Sequence, residues 1–252
     1  MKKAYSDRRK SLFFLVLFAV CLSFFNAGCG LDVLEAVLED PFTTELVPNE
    51  SSAYDSKTFK FYMSELDNAN AFGKGYVYYK IYDTPSRKTS ETNALDNMAA
   101  DSSRKLNAYT TLINSYSYKP LRYVTSLGGQ PEEFTIDNES QTVSIRLTNY
   151  GIDAYAARIT VDDKTVGIPL RHNGKTFDFG RSGDYDEKPA KVSNAEESSS
   201  DVKGLSQPAD NNIFYVVLYG IFYMPTETFD KTIYSPIHYL GEVKIDAGEI
   251  NN

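Results

Sequence analysis

The side chains that most often carry catalysis are few in this chain. Its 252 residues contain two histidines, His172 in a turn beside Asn173-Gly174 and His238 in a strand-like segment near the end. No H-E-x-x-H motif occurs, and Ser182 lies in Arg-Ser-Gly rather than in a G-x-S-x-G elbow. The pattern indicates neither a phosphate-binding glycine loop nor a zinc site. The sequence therefore predicts no catalytic residues, no cofactor and a protein that is not an enzyme.

Acidic side chains form two short clusters, and calcium prefers oxygen-rich loops of this kind. One cluster is Asp162-Asp163, and the other contains Asp184, Asp186 and Glu187. Neither cluster has the regular spacing of an EF-hand loop. The sequence therefore predicts no metal site.

Cys29 is the residue whose position indicates chemistry most clearly. It follows Ala27-Gly28, after a basic stretch over residues 1–10 and an apolar stretch over residues 11–25. This apolar stretch is shorter than the roughly 20 residues that span a bilayer, and the layout is that of a cleaved signal peptide. A cysteine thiolate can accept a diacylglyceryl group, whereas Cys21 does not follow a small residue. An ordinary secretory signal and an uncleaved anchor remain as alternatives.

The string Phe25-Asn26-Ala27-Gly28-Cys29 resembles the lipobox of bacterial lipoproteins. That family usually has an aliphatic residue where Asn26 stands, and spirochaetal lipoproteins are looser at this position. The resemblance implies cleavage before Cys29 and lipidation of its sulfur, and two or more acyl chains give stable anchoring. We expect residues 1–28 to be a lipoprotein signal peptide and residues 29–56 to be a lipid-anchored tether.

Charge and cysteine content narrow the classes of partner. The formal charge is −8, and the first 28 residues carry five basic side chains and one acidic one, so residues 29–252 carry −12. This charge argues against binding nucleic acid or anionic lipid. After cleavage Cys29 is the sole cysteine, which excludes an intramolecular disulfide and a cysteine-based zinc site.

Alternating apolar residues predict β-structure from residue 57 onward. Residues 57–64 and 75–83 each form a strand, and six short strands follow between residues 120 and 180. Turn signals separate these strands, and Asn173-Gly174 predicts a tight hairpin. The side chains expected on one face of the first two strands are Phe59, Phe61 and Met63, and then Val77, Tyr79 and Ile81.

Apolar residues recur at intervals of three and four residues over residues 91–115. This spacing predicts one amphipathic helix, with Ser90 or Thr92 capping its start. Residues 213–223 are apolar on both faces, so this strand needs cover on both sides. The opposite sheet is one candidate cover, and the helix over residues 91–115 is the other.

Two further segments complete the chain. Residues 182–212 are polar, which predicts a long disordered loop. Residues 232–246 predict a last strand, and Pro236 within it indicates an edge strand or a bulge.

Residues 75–83 resemble the third strand of a fibronectin type III or immunoglobulin-like domain. Residues 213–223 and 232–246 resemble its final hairpin. The resemblance implies a mainly β, antiparallel sandwich over residues 57–252, with one amphipathic helix insertion and a long disordered loop. The family's core tryptophan is missing, and such domains have only about 100 residues. The whole pattern is also similar to spirochaetal, treponemal-type lipoproteins, a resemblance that supplies no catalytic residues.

Three functions remain open, of which a non-enzymatic binding or adhesion module on the cell surface is slightly favoured. Loops on a rigid sandwich commonly carry recognition. The alternatives are a periplasm-facing structural or assembly subunit of an envelope complex and a hydrolase or ligand-carrying lipoprotein. We expect attachment to a membrane through the lipid on Cys29, with the outer membrane favoured. A protein ligand or an envelope complex is the expected partner, and nucleic acid is not.

Overall fold

The structure is a computed structural model that describes residues 38–46, 48, 57–67, 69, 72–101, 103–126, 128–148, 156–177, 201–203, 213–225 and 232–246. The strands, in chain order, are β1 (Phe42–Leu46), β2 (Phe59–Met63), β3 (Lys74–Tyr82), β4 (Lys119–Pro120), β5 (Arg122–Val124), β6 (Glu132–Glu133), β7 (Thr135–Asp137), β8 (Gln141–Arg146), β9 (Arg158–Val161), β10 (Lys164–Leu170), β11 (Val202–Lys203), β12 (Ile213–Pro225), β13 (Thr232–Tyr234) and β14 (His238–Asp246). The helical elements are α1 (Pro85–Ala100), α2 (Lys105–Thr110) and a π-helical turn over Thr111–Ser115.

These strands form two sheets. Sheet 1 has the spatial order β1-β2-β8-β9-β10-β5-β6, and sheet 2 is built around β3 and β12. On one side of β12 lies β3, and on the other lie β14 and β13. The far edge of β3 pairs in series with β7, β4 and β11. Every pairing between described strands is antiparallel except that of β11 with β3, so the predicted mainly β, antiparallel sandwich is confirmed.

The core between the sheets follows from the alternation of side chains along each strand. The predicted inward faces of β2 and β3 are confirmed, since these side chains are completely buried in one apolar cluster. Alternate residues of β12 and β14 complete this cluster. The inward residues are Phe59, Phe61 and Met63 of β2, Val77, Tyr79 and Ile81 of β3, and Phe214, Val216 and Leu218 of β12.

The helical segment covers the other face of sheet 2. Leu95, Ala108 and Leu112 are fully buried against the outward residues of β3 and β12. The prediction that β12 is covered on both sides, by the opposite sheet and by the helical segment, is confirmed.

The prediction of one continuous helix over residues 91–115 is wrong, because the helical segment is broken at Asp101. Helix α1 begins at Pro85, which suits the first helical position, and Thr84 rather than Ser90 or Thr92 is its N-cap residue. The Asp101 carboxylate accepts hydrogen bonds from Ser103 N at 2.9 Å and from Arg104 Nε at 2.8 Å. Such local bonds compete with helical hydrogen bonds and end α1 here.

Two predicted strands in the middle of the chain cross from one sheet to the other. Leu121 separates β4 in sheet 2 from β5 in sheet 1, and Phe134 separates β6 in sheet 1 from β7 in sheet 2. Leu121 N donates to Val77 O at 2.8 Å, and Phe134 N donates to Leu121 O at 2.9 Å. Because both crossing residues are buried in the core, this hairpin closes one side of the sandwich.

The final predicted strand is interrupted at Pro236, which gives β13 and β14, both paired with β12. Ser235 bridges the interruption, since its N donates to Phe222 O at 2.8 Å and its hydroxyl accepts from Phe222 N at 3.0 Å. The predicted position of Pro236 at a sheet edge is confirmed, because no other described strand pairs with the far side of β13 or β14.

The predicted hairpin at Asn173-Gly174 is only partly correct. A turn is present, in which Arg171 N donates to Lys175 O and Gly174 has φ +82°. Residues 175–177 do not continue as a strand, and residues 178–180 lie outside the described part of the chain. Asn173-Gly174 favours a turn through local backbone preferences, whereas a strand after the turn also needs a partner in a sheet.

The tether predicted over residues 29–56 is too long. Leu38 and Phe42 are only 2 % and 4 % exposed, and β1 pairs with β2. A Cβ atom on Gly220 would lie 3.1 Å from the Phe42 ring, so this glycine leaves room for the ring. Only Phe42 is buried within β1, so the strand lacks an alternating apolar pattern.

The loop predicted over residues 182–212 is wrong for residues 201–203, and its other residues lie outside the described part of the chain. Asp201 is 2 % exposed and accepts two hydrogen bonds of 2.9 Å from Nε and Nη2 of Arg171. The Tyr79 hydroxyl donates to the same carboxylate at 2.7 Å. Polar composition suggested a loop, but this aspartate is buried because a distant arginine and tyrosine satisfy its charge.

The strand order agrees with the immunoglobulin-like resemblance in one sheet only. The three strands that carry the resemblance lie side by side as β3-β12-β14, like strands C, F and G of that family. In the family's other sheet the neighbour of strand B is strand E, which follows strand D in the chain. Here β8 lies beside β2 and precedes β9. Membership of that family stays a prediction.

Candidate functional site

A polar groove lies on the face of sheet 1 that points away from the core. Its first row consists of Thr58, which directly precedes β2, Arg146 of β8 and Arg158 of β9. Arg146 and Arg158 are register partners on neighbouring antiparallel strands, so both guanidinium groups leave the same face of the sheet. The Thr58 hydroxyl accepts from Nε of Arg146 at 3.2 Å and from Nη2 at 3.0 Å. Arg146 is consequently held in one orientation, whereas Arg158 is exposed.

The second row carries hydroxyl groups. Ser144 and Thr160 are register partners, and Thr165 is the next partner on β10. Lys60 pairs with Ser144 from β2, and its Nζ lies 2.9 Å from a carboxylate oxygen of Glu45. This hydrogen bond and the charge of Glu45 raise the pKa of Lys60.

The groove is suited to a small, polar, negatively charged group. It encloses about 260 Å³, and all eight lining residues are polar. Three of them are cationic, and Asp163 is the single carboxylate among them. Arginine and hydroxyl donors are the groups that bind carboxylate, sulfate or phosphate oxygens. Part of this site was visible in the sequence, because Ser144, Arg146, Arg158 and Thr160 alternate with apolar residues, but the register that aligns these side chains was not readable.

Of the residues singled out from the sequence, Asp163 lines this groove, and the other described ones lie elsewhere. His172 lies in its predicted turn, where its N donates to the Tyr79 hydroxyl at 2.6 Å. Asp162-Asp163 form the turn between β9 and β10, with φ angles of +48° and +61°. Cys29 and Ser182 lie outside the described residues. So does the acidic cluster of Asp184, Asp186 and Glu187.

His238 has two polar partners that sequence reasoning missed. Its Nδ1 lies 2.7 Å from Oδ2 of Asp40, and its Nε2 lies 3.0 Å from Oγ1 of Thr44. Although a carboxylate, an imidazole and a hydroxyl in series resemble a catalytic triad, Thr44 Oγ1 also donates to Tyr239 O at 3.2 Å. A carbonyl oxygen can only accept, so this bond directs the hydroxyl proton away from the imidazole. The cluster joins β1 to β14 across the two sheets.

A second polar cluster lies between sheet 2 and the helices. Lys80 is buried and donates to Glu91 at 2.7 Å and to Tyr116 O. Three tyrosine rings surround its Nζ, at 5.3 Å for Tyr82, 5.8 Å for Tyr116 and 5.7 Å for Tyr118. Because the chain itself fills this cage, we assign the cluster a structural role.

Burial raises the pKa of Tyr82 and of Tyr118 in this cluster. Tyr82 and Tyr118 share a hydroxyl-to-hydroxyl bond of 2.9 Å, and the pKa of each lies well above its usual value. The Tyr219 hydroxyl donates to Asp96 at 2.9 Å, and burial raises the pKa of both groups.

The described residues hold no group of three or more histidine, cysteine, aspartate or glutamate side chains that could bind a metal ion. None of the helices in the described ranges is long and apolar enough to cross a membrane.

Comparisons with family models, with curated proteins and with solved structures found no match to this chain. The function is therefore argued from the site and the sequence alone.

Proposed function

We propose that the protein is a bacterial lipoprotein, anchored through Cys29, that serves as a non-enzymatic binding or adhesion module on the cell surface. The polar groove of sheet 1 carries the proposal. It offers an open recognition surface on a rigid sandwich, lined by three cationic side chains and four hydroxyl side chains. The spirochaetal type and the immunoglobulin-like family belong to the same proposal.

Lipidation is tested by growing cells with labelled palmitate. We expect the label on the wild-type protein and on Cys21→Ser, the matched control. Cys29→Ser should carry none, because the thiolate is the acceptor. Label that persists on Cys29→Ser would exclude this anchor.

Surface display is tested by adding protease to intact cells and following loss of the full-length protein. A periplasmic protein serves as the internal marker. Cleavage with the marker intact supports display. Protection until the outer membrane is permeabilised supports the periplasmic alternative.

Binding is tested by the adhesion of cells to surfaces coated with host matrix. Arg158→Gln should lower adhesion, and Arg87→Gln should not, because Arg87 is an exposed arginine of α1 outside the groove. A deletion of residues 182–198, which keeps Asp201, tests the contribution of the long segment separately. Normal adhesion by a strain that lacks the protein would overturn the proposed function.

One observation favours a second candidate, a periplasm-facing assembly subunit. Strand β14 is nine residues long and pairs with β12, and no described strand pairs with its other edge. An edge of this length can accept a strand from a partner protein. Crosslinking from an unnatural amino acid at Lys244 to an envelope protein would support this candidate.

A further inference from the structure

We propose that the groove of sheet 1 binds one oxyanion group, a carboxylate, sulfate or phosphate, between Arg146 and Arg158. The inference deepens the proposed function and rests on it, because it names the chemistry that the binding module recognises.

Arg146 and Arg158 are register partners on the same face of sheet 1, which places two positive charges side by side. An anion between them is attracted to both charges, and charge-assisted hydrogen bonds from arginine N–H groups are among the strong ones.

The two arginine side chains differ in orientation and exposure, and this difference also favours an anion site. The Thr58 hydroxyl orients the guanidinium of Arg146, which is 8 % exposed. A pre-oriented donor loses little entropy when a ligand binds. Arg158 is exposed and forms no ion pair with another described residue, so it can close over an anion from the solvent side.

The remaining lining limits the ligand to a small anionic group. Ser144 and Thr160 lie in the adjacent row and supply hydroxyl donors. The lining contains no apolar side chain, which argues against a greasy ligand. Asp163 and the Glu45 partner of Lys60 flank the groove and repel a long polyanion. The volume of about 260 Å³ is below the usual 300–1,000 Å³ of sites for drug-sized molecules.

The test is a titration of the full-length protein in detergent micelles, observed through the arginine side-chain ¹⁵N–¹H signals. The probes are sodium acetate, sulfate and phosphate, and sodium chloride at matched ionic strength gives the baseline. We expect saturable shifts of the Arg146 and Arg158 signals with these oxyanions and not with chloride. The probe that binds most tightly identifies the source as a carboxylate, a sulfate ester or a phosphate ester.

Three variants test whether the two arginines bind the anion. Arg158→Gln should weaken binding about tenfold or more, since a charge-assisted interaction is lost. Arg146→Lys keeps the charge but loses the planar fork, and it should also weaken binding. Arg87→Gln should bind as tightly as the wild type.

The proposal is overturned by non-saturating shifts, by equal shifts with chloride, or by unchanged affinity in Arg158→Gln. Those outcomes leave the proposed function intact if the wild-type protein still supports adhesion. Conversely, the purified protein could bind oxyanions while a strain that lacks it adheres normally. That combination would support the binding site and refute the adhesion role.

Discussion

The two faces of sheet 2 are covered in chemically different ways, although the same strands supply both. The inner face packs against sheet 1 through apolar side chains such as Val77 and Val216, which share one buried cluster with Phe61 of sheet 1. The outer face packs against the helices through tyrosines and two buried lysines, Lys80 and Lys88. Apolar packing therefore holds the inner face, whereas hydrogen bonds and ion pairs, which depend on protonation, contribute to the outer one.

The contrast is clearest in helix α1. Its buried residues are Lys88, Thr92 and Leu95, so a single buried apolar side chain faces the sheet. Lys88 forms an ion pair with Glu242 and lies over the Tyr215 ring at 5.0 Å from its centre. The attachment of α1 therefore depends on polar partners that must keep their charge or their proton.

The largest expected effect is loss of the outer contacts at alkaline pH. Burial raises the pKa of Tyr78, Tyr82, Tyr118, Tyr219 and Tyr239 above the usual tyrosine value of about 10. The folded state therefore keeps protons that the unfolded state releases, so this stability is fully present below pH 10 and is lost as the pH rises above it. Above pH 10, each such tyrosine lowers the free energy of unfolding by about 1.4 kcal/mol per pH unit.

The measurement is the free energy of unfolding in urea as a function of pH, together with tyrosinate absorbance. The variant Tyr82→Phe/Tyr219→Phe should show a flatter loss of stability above pH 10. Amide exchange should show α1 opening before β2 and β8. Simultaneous opening of both regions would remove the distinction between the two faces.

Truncation of the apolar packing against the inner face comes next. Phe61→Ala removes a completely buried ring and should lower the free energy of unfolding by about 3–5 kcal/mol. No titrating group is lost, so the decrease should be the same at pH 7 and pH 10. The adjacent, exposed Lys60→Ala is the control and should cost about 1 kcal/mol or less. A pH-dependent effect of Phe61→Ala would contradict the assignment of this face to apolar packing.

Asp201 is an exception to this contrast, because it places a charged pair beside the inner face. Asp201→Leu should cost about 3–5 kcal/mol, since it removes a buried carboxylate that pairs with the buried Arg171 guanidinium. The double variant Asp201→Leu/Arg171→Met should recover much of that loss. Urea unfolding of both variants checks this, and a double variant no more stable than the single one would show that the pair is not the cause.

A smaller effect is expected when the ion pair of the outer face is broken. Lys80→Met removes the ion pair with Glu91, whereas the Tyr82 hydroxyl still donates to that carboxylate at 2.9 Å. The expected cost is about 1–3 kcal/mol, with faster amide exchange in α1. Lys80→Met/Glu91→Leu should recover stability. Unchanged exchange in α1 would argue that apolar contacts, not this pair, hold the helix.

The smallest effect tests one tyrosine hydroxyl. Tyr118→Phe keeps the buried ring and removes its bond to the Tyr82 hydroxyl, at a cost of about 0.5–1.5 kcal/mol. Tyr123→Phe is the matched control, because its bond to Glu132 is exposed, and unfolding by urea should barely change. Equal costs for the two variants would mean that burial adds nothing to these hydroxyl bonds.

The local residue pattern was enough to predict strands whose side chains alternate between two faces. The inward faces of β2 and β3 followed from period two, and the double cover of β12 followed from its lack of polar residues. The break at Asp101 was missed because an apolar stripe continues on both sides of it. Likewise β1 was missed because it buries only Phe42.

The mainly β class, the strand faces and the double cover of β12 could be predicted from the chain, and Cys29 stays a predicted lipid acceptor. These predictions depend on side-chain alternation or on adjacent residues, which a linear chain displays directly. That Asp201 meets Arg171 and that Arg146 lies opposite Arg158 is visible only in the folded protein. The reason is that register and sheet order arise from contacts between distant segments, and no local periodicity records which segments meet.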